Sequence, residues 1–257
     1  MASVNSTKSN KQSNATLYSA SSSVQYDTGC SFIETLGLNL GDKVLDMGCG
    51  TGKLTKYIAE KVGNLGEVVG IDPDNERVSF AGGNDIEMPS NVTFHVGHSE
   101  SRFLDDYQAY YDFHFSNHVY HWLNNEQKAR YVCVAHKCLK PGGLIAIQSL
   151  AEPDDEIDYR LFGSALGRFK VFYVKASSAM DVLIHAGFTE VNVTIIPSVI
   201  YYSSYQSMVE WFLASCKTDI NDVQDKKLLE EFKIKAIQKD GKVKYQYNLV
   251  QITGRKL

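Results

Sequence analysis

The feature that most constrains the fold is a glycine-rich turn between an apolar strand and an amphipathic helix. The apolar run 43–46 predicts a buried parallel strand, and the apolar residues of 53–62 share one helical face. Gly48, Gly50 and Gly52 lie between them with the spacing G-x-G-x-G. Glycines allow backbone angles that are closed to other residues and let a ligand approach the main chain. The sequence therefore predicts a nucleotide-type binding loop at the end of the first strand.

Further apolar runs follow the turn at regular spacing and predict four more strands, at 67–71, 92–96, 111–116 and 144–148. Helices are predicted at 23–37, 126–139, 177–186, 206–216 and 225–238, and Lys140-Pro-Gly-Gly143 is predicted to break the helix before the fifth strand. Residues 190–197 and 199–205 add strand material, and 243–254 alternate like a terminal antiparallel strand. This alternation predicts an α/β fold: a Rossmann-like, doubly wound, mostly parallel sheet with an antiparallel C-terminal strand and a helical, aromatic cap.

The domain organisation is predicted from the distribution of polar and aromatic residues. Residues 1–16 are rich in Ser, Asn and Lys and are expected to be a disordered tail. Residues 17–257 are expected to form a single domain in which 152–175 and 206–240 are cap-like insertions. The aromatic residues of the C-terminal half of the chain predict a packed cap, with an apolar ligand chamber as the alternative. Arg160, Arg168 and Lys170 are candidates to hold an anionic group, unless they belong to a solvated face.

The composition of the 257-residue chain excludes several functional classes. A net charge of −4 argues against a general nucleic-acid binder, because such binding needs a basic face. The five cysteines are irregularly spaced and form no CxxC pair, so neither a disulfide framework nor a zinc site is predicted. No apolar run is long enough to span a bilayer, and no signal-peptide core is present. We therefore expect a soluble cytoplasmic protein without a metal, and its oligomeric state stays open.

Two acids stand in register with the glycine-rich turn. Asp46 precedes Gly48 by two residues, where a carboxylate suits the cationic end of a nucleoside ligand. Asp72 ends the second strand, 20 residues past Gly52, where a carboxylate can accept both hydroxyls of a ribose. The alternative for Asp72 is a turn starter before Pro73. An NAD-dependent dehydrogenase is a rival interpretation that the tight G-x-G-x-G spacing opposes.

Three segments carry a resemblance to a known family. The runs GDKVLDMGCGTGKLTKYIAE, VVGIDP and LKPGGLIAI resemble the class I S-adenosylmethionine-dependent methyltransferases over about residues 41–150. The resemblance implies S-adenosylmethionine as cofactor, with Asp46, Gly48, Gly50 and Asp72 in its binding site. At the end of the fourth strand, Asn117 is a further predicted contact of the cofactor or the acceptor.

The adenine contact departs from the family pattern. The family often carries an aspartate after the third strand, near the adenine amino group, and this chain has His98 in that place. The resemblance therefore implies that His98 or Ser99 accepts a hydrogen bond from the amino group.

A second resemblance concerns the methyl acceptor. LYSASSSVQ (17–25), Tyr120-His-Trp122 and the closing strand resemble the juvenile hormone acid and trans-aconitate type of small-molecule carboxyl methyltransferases. In the juvenile hormone acid family, a glutamine of the first helix and a tryptophan after the fourth strand hold the substrate carboxylate. The matching positions are Gln25 and Trp122, which implies O-methylation of a small carboxylic acid.

Two other functions stay open at the level of sequence. A carboxylate is ionised near neutrality and needs no general base, whereas an amine needs one. His118 and His121 are the candidate catalytic residues for a small-molecule N-methyltransferase, which is the main alternative. A binding-only protein is the third possibility, although Asp46, the glycines and Asp72 are all intact.

Overall fold

A computed structural model describes residues 23–83, 87–164, 170–216 and 218–257 of the chain. Its described strands form one sheet and are, in chain order, β1 (Lys43–Met47), β2 (Glu67–Asp72), β3 (Val92–Val96), β4 (Tyr111–Asn117), β5 (Leu139–Leu150), β6 (Phe188–Tyr202) and β7 (Val243–Lys256). The seven strands lie in the order β3-β2-β1-β4-β5-β7-β6. The pairs from β3 through β5 are parallel, and β7 runs antiparallel to both β5 and β6.

The helices of the described part follow the strand–helix alternation that the sequence predicts. They are α1 (Ser23–Glu34), α2 (Lys53–Val62), α3 (Asn75–Ala81), α4 (Asn125–Cys138), α5 (Glu156–Ser164), α6 (Ala176–His185), α7 (Tyr205–Cys216) and α8 (Lys226–Ala236). A short 3-10 turn, Tyr120–Trp122, follows β4. The predicted α/β fold with an antiparallel C-terminal strand is confirmed.

The sheet order positions the candidate site. The order reverses between β1 and β4, and β1 pairs in parallel with β2 on one side and with β4 on the other. At such a switch point a crevice opens outside the carboxyl ends of the strands. Asp46, Asp72 and Asn117 stand at or next to the carboxyl ends of β1, β2 and β4, so the fold gathers them at this edge.

Three boundaries differ from the sequence-based prediction by more than two residues. The 140–143 segment does not separate α4 from β5, because β5 begins at Leu139 and contains it. Pairing jumps from Tyr111–Leu139 to Phe113–Leu144, so the segment bulges out of the strand, and Lys140 binds Asp112 there at 2.7 Å. The first helix ends at Glu34 rather than near 37. The two predicted pieces of strand material within 190–205 belong largely to the single strand β6.

A second apolar core lies beside the main sheet core. We call it the cap core; among its buried members are Leu161, Phe162, Ile200, Met208, Phe212, Leu228, Phe232 and Val243. Its members come from α5, α7, α8, β6 and β7, which brings three helices from distant parts of the chain onto one end of the sheet. The predicted disordered tail, 1–16, and Arg168 lie outside the described residues. None of the described helices is long and apolar enough to cross a membrane.

Candidate functional site

The glycine-rich turn folds tightly against the end of β2. The amides of Gly48 and Cys49 both donate to the carbonyl oxygen of Ile71, at 2.6 and 2.9 Å. Gly48 has φ +86, in the left-handed region that favours glycine. A Cβ at this position would lie 2.1 Å from Cγ2 of Val119, so only glycine lets the segment after β4 approach the turn.

Asp46 is a buried carboxylate beneath the turn. It is 2% exposed, and Oγ1 of Thr55 donates to its Oδ2 at 2.6 Å. Burial raises the pKa of Asp46 to about 7, and the negative charge of Asp72 contributes in the same direction. A cation that bound beside Asp46 would stabilise its charged form. The position therefore suits the positively charged part of a ligand.

Asp72 holds the other side of the turn. Its Oδ2 accepts a hydrogen bond from the amide of Gly50 and its Oδ1 accepts one from the amide of Asp74, both at 2.9 Å. Burial raises the pKa of this carboxyl group as well. Because each carboxylate oxygen has two acceptor sites, both oxygens keep capacity for a further donor such as a hydroxyl group.

A cavity opens between the turn and the first helix, and we call it the glycine-loop cavity. Its walls are Gln25, Tyr26, Asp46, Gly48, Cys49, Gly50, Thr51, Lys53, Leu54, Asn117 and His118. Asn117 ties the two sides together, since its Nδ2 donates to the carbonyl oxygen of Gln25 at 3.0 Å. Its Oδ1 accepts from Nε2 of Gln148 at 2.9 Å. The Asn117 side chain thus fixes α1 against the sheet.

The two predicted adenine contacts, His98 and Ser99, are not in the wall of this cavity. His98 and Ser99 follow β3, whose last residue Val96 pairs with Asp72. His98 is exposed, and its Nδ1 accepts from the amide of Glu100 at 3.2 Å. Their role toward a nucleobase stays a prediction.

A second cavity, of about 100 Å³, adjoins the first, and we call it the aromatic cavity. It is lined by Val24, Gln25, Arg77, His118, His121, Trp122, Leu150, Phe162, Val171, Tyr173, Ile200, Tyr202, Trp211, Phe212, Ser215, Tyr245 and Tyr247. Gln25 and His118 line both cavities. A ligand in one cavity is thus separated from a ligand in the other by these two side chains.

Arg77 is a lining residue that the sequence did not reveal. It lies on α3, and its Nη2 donates to the carbonyl oxygen of Ser215 at 3.2 Å, which connects α3 to α7. Its Nε lies 3.7 Å from Oδ2 of Asp74. Among the described lining residues of the aromatic cavity, Arg77 is the only Asp, Glu, Lys or Arg. The one sequence signal that could have pointed to Arg77 as a site residue is its position five residues after Asp72.

His118 stands at the junction of the two cavities in an unusual backbone conformation. Its φ is +56, which is uncommon for a residue with a side chain, and its amide donates to the carbonyl oxygen of Gln148 at 2.8 Å. Its Nε2 is buried, and no hydrogen-bond partner for it occurs in the described part of the chain. Burial lowers the pKa of His118 to about 4, so the ring is neutral at neutral pH.

His121 and Trp122 occupy the 3-10 turn after β4. Nδ1 of His121 lies 2.9 Å from Oγ of Ser149, which also accepts the His121 amide at 3.0 Å. Burial lowers the pKa of His121, with the neighbouring His118 and Lys128 adding to the shift. The rings of His121 and Trp122 pack with centroids 4.6 Å apart. The structure therefore brings His118, His121, Trp122 and Gln25 together around one cavity.

Comparisons with known proteins find similarity to methyltransferases. A family model described as a methyltransferase domain matches residues 44–143. The chain is 34% identical over 134 residues to phosphoethanolamine N-methyltransferase 1 of Zea mays, covering 51% of this chain and 26% of that protein. It is 27% identical over 185 residues to trans-aconitate 2-methyltransferase of Deinococcus radiodurans, covering 66% and 67%.

A third relative is juvenile hormone acid O-methyltransferase of Bombyx mori, 29% identical over 122 residues, covering 45% of this chain and 43% of that enzyme. The chain spans less than two thirds of the length of most of the curated relatives that it matches. Among solved structures, the YcgJ protein of Bacillus subtilis superposes with a TM-score of 0.65 at 17% identity, covering 90% of this chain and 98% of that one. At this identity the superposition supports the fold alone.

Proposed function

Because the chain belongs to the class I S-adenosylmethionine-dependent methyltransferases, we propose that it methylates a small carboxylic acid held in the aromatic cavity. The observation that carries the proposal is the pair of adjoining cavities. The first is lined by the buried Asp46 and by Gly50, whose amide donates to the buried Asp72, and the second has Arg77 as the only Asp, Glu, Lys or Arg among its described lining residues. The first cavity is the proposed cofactor site and the second the proposed acceptor site.

The glycine-loop cavity and Asp72, which holds the Gly50 amide of its wall, fit S-adenosylmethionine. The buried carboxylates of Asp46 and Asp72 both have a raised pKa, and a ligand with a positive charge and hydroxyl donors stabilises their charged forms. We propose that Asp72 would accept the ribose hydroxyls and that Asp46 would face the cationic end. Gly48, Gly50 and Asn117 would line the cofactor, and His98 and Ser99 would lie toward the adenine.

The charge of the aromatic cavity supports a carboxylate acceptor. Arg77 is permanently charged, and a guanidinium group matches a carboxylate group geometrically; one of its donors is used by the carbonyl oxygen of Ser215. A cationic amine would find no carboxylate among the described lining residues, whereas an acid with an apolar body would find both a cation and aromatic walls. The relatives from Deinococcus and Bombyx are named for acids, which supports the same acceptor class.

An amine acceptor is the alternative, and one observation favours it. Nε2 of His118 is buried without a described partner at the junction of the two cavities, where a base would stand. The maize relative is an N-methyltransferase by name. Against this, a general base works best when its pKa is near the operating pH, and the pKa of His118 is only about 4.

For this reaction the protein has to align the two reactants and exclude water from the site. When bound, S-adenosylmethionine supplies a methyl group on a sulfonium, which is activated for in-line displacement. We propose that Gln25 and Trp122 orient the acceptor carboxylate, and that the neutral rings of His118 and His121 position it rather than remove a proton. The aromatic walls exclude water from the reacting groups.

The proposal predicts that Gln25→Ala and Trp122→Ala impair turnover and leave S-adenosylhomocysteine affinity nearly unchanged. Both residues line the aromatic cavity. Trp122 does not line the glycine-loop cavity, whereas Gln25 lines both cavities, so Trp122→Ala is the sharper of the two tests. Methyl transfer to a panel of carboxylic acids and titration calorimetry with S-adenosylhomocysteine measure the two effects on the same preparations. If a folded variant keeps full turnover, or loses cofactor affinity instead, the acceptor site is misplaced.

A further inference from the structure

A third cavity, of about 550 Å³, lies on the far side of the wall of the aromatic cavity. We call it the basic cavity. It shares Val171 and Tyr173 with the aromatic cavity, so these two side chains form the partition between them. The basic cavity includes none of the residues of the glycine-loop cavity, and the proposed methyl transfer does not use it.

The lining of the basic cavity carries a net positive charge, whereas the chain as a whole is acidic. Its described lining contains four basic residues, Lys128, Arg160, Lys170 and Lys175, and one acidic residue, Glu152. Over the whole sequence, acidic residues outnumber basic residues by 30 to 26. A local excess of three positive charges in an acidic protein attracts anions, because concave surfaces concentrate the field of the charges around them.

The cations are arranged around aromatic and backbone groups rather than spread over a flat surface. Nζ of the buried Lys128 donates to the carbonyl oxygen of Phe172 at 2.6 Å, which anchors the partition segment. Nζ of Lys170 lies 5.5 Å from the centre of the Phe172 ring. Arg160 pairs with the exposed Asp225 and Lys175 pairs with the half-exposed Glu152, at 3.4 Å each, and ion pairs of this kind are weak.

The start of α6 adds to the same field. Lys175 is the N-cap residue of α6 and provides no side-chain cap, the first turn contains no acid, and Ser178 of that turn lines the cavity. The amino end of a helix carries a partial positive charge and amide donors without partners inside the helix.

From the cavity and its four cations we propose that the basic cavity binds the phosphate or carboxylate group of a small anionic ligand. The ligand has two possible sources. It is either a separate anion or the distal acid group of a dicarboxylic acceptor whose reacting end lies beyond Val171 and Tyr173. Arg160 and Lys170 are the side chains that contact the anion in both cases.

The test measures binding and is independent of methyl transfer. Inorganic phosphate is titrated at low salt against wild type and Arg160→Gln/Lys170→Gln, and adipate and hexanoate are compared as a dicarboxylate and a monocarboxylate of equal chain length. The control, Lys227→Gln/Lys239→Gln, removes the same charge from two exposed positions outside the cavity. For a separate anion, we expect phosphate affinity to fall about tenfold or more in the cavity variant only.

If the anion is the distal acid group of a dicarboxylic acceptor, we expect wild type to bind adipate more tightly than hexanoate. We expect the cavity variant to lose that preference. The proposal is overturned if wild type binds neither phosphate nor adipate in preference to hexanoate. It is also overturned if the control variant weakens binding as much as the cavity variant, since the effect is then one of overall charge. A failure of the proposed carboxyl methylation would leave the phosphate titration unaffected, so the two failures are distinguishable.

Discussion

Replacing Asp72 by alanine is expected to weaken S-adenosylhomocysteine binding by about 1.5–3 kcal/mol, or roughly 10- to 150-fold. The carboxylate is buried at the end of β2, where it holds the amides of Gly50 and Asp74 and would accept the ribose hydroxyls. The substitution removes the proposed hydrogen-bond acceptor of the ribose hydroxyls, and it also loosens the glycine-rich turn. Titration calorimetry measures the loss, and circular dichroism shows whether the variant is folded.

The neighbouring Asp74 provides a matched control. Its side chain accepts from the amides of Glu76 and Arg77 and caps α3, whereas the Asp72 side chain holds the amide of Gly50 in the glycine-rich turn. Asp74→Ala is expected to cost about 1 kcal/mol of stability through the lost cap and to keep cofactor affinity. A folded Asp72→Ala protein with wild-type affinity would show that Asp72 serves only to shape the turn.

Gly48→Ala is expected to have the largest effect on the protein as a whole. The left-handed conformation costs an alanine about 1–2 kcal/mol, and a Cβ placed 2.1 Å from Cγ2 of Val119 forces the segment after β4 to move. Asn117 and His118 belong to that segment and line the glycine-loop cavity. We therefore expect a marked fall in the melting temperature together with loss of S-adenosylhomocysteine binding.

A second substitution separates the steric effect from the backbone effect. Val119→Ala removes both γ carbons and leaves its Cβ at 3.2 Å from the new methyl group, so Gly48→Ala/Val119→Ala should regain part of the stability and binding. Val119→Ala alone is the reference for the lost packing. Wild-type stability and affinity in the single Gly48→Ala variant would contradict the close approach of the two segments.

The glycine-rich turn and the two acids could be predicted because their chemistry is local. Asp46, Gly48 and Asp72 stand at strand ends, and parallel strands bring such ends to one edge of the sheet. The bulge at 140–143 could not be predicted in this way. A helix stop and a strand bulge share the same proline and glycine signals, and pairing with Tyr111 and Phe113 decides between them.

For the aromatic cavity, the sequence predicted only that this part of the chain is rich in aromatic residues. Its walls include residues of α1, α3, α5, α7, β5, β6, β7 and the segment after β4, and no periodicity in one segment reveals which side chains meet. Arg77 illustrates the limit, since its contact with Ser215 spans 138 positions of the chain. The pKa of His118 is likewise a consequence of burial by distant elements, and a sequence pattern cannot show that this histidine is a poor base.

The pH dependence of kcat for methyl transfer to a carboxylic acid tests the central claim most directly. The measurement uses saturating labelled S-adenosylmethionine, because the pKa of about 7 at Asp46 makes cofactor affinity fall as pH falls through that value. A carboxylic acid with a pKa of roughly 4 needs no base, so kcat should be nearly flat from about pH 6.5 to 8.5. His118→Ala and His121→Ala should lower it less than about tenfold, through lost positioning. A steep alkaline rise that disappears in one histidine variant, with a loss on the order of a hundredfold, would contradict the account, because methylation of a carboxylate needs no histidine base.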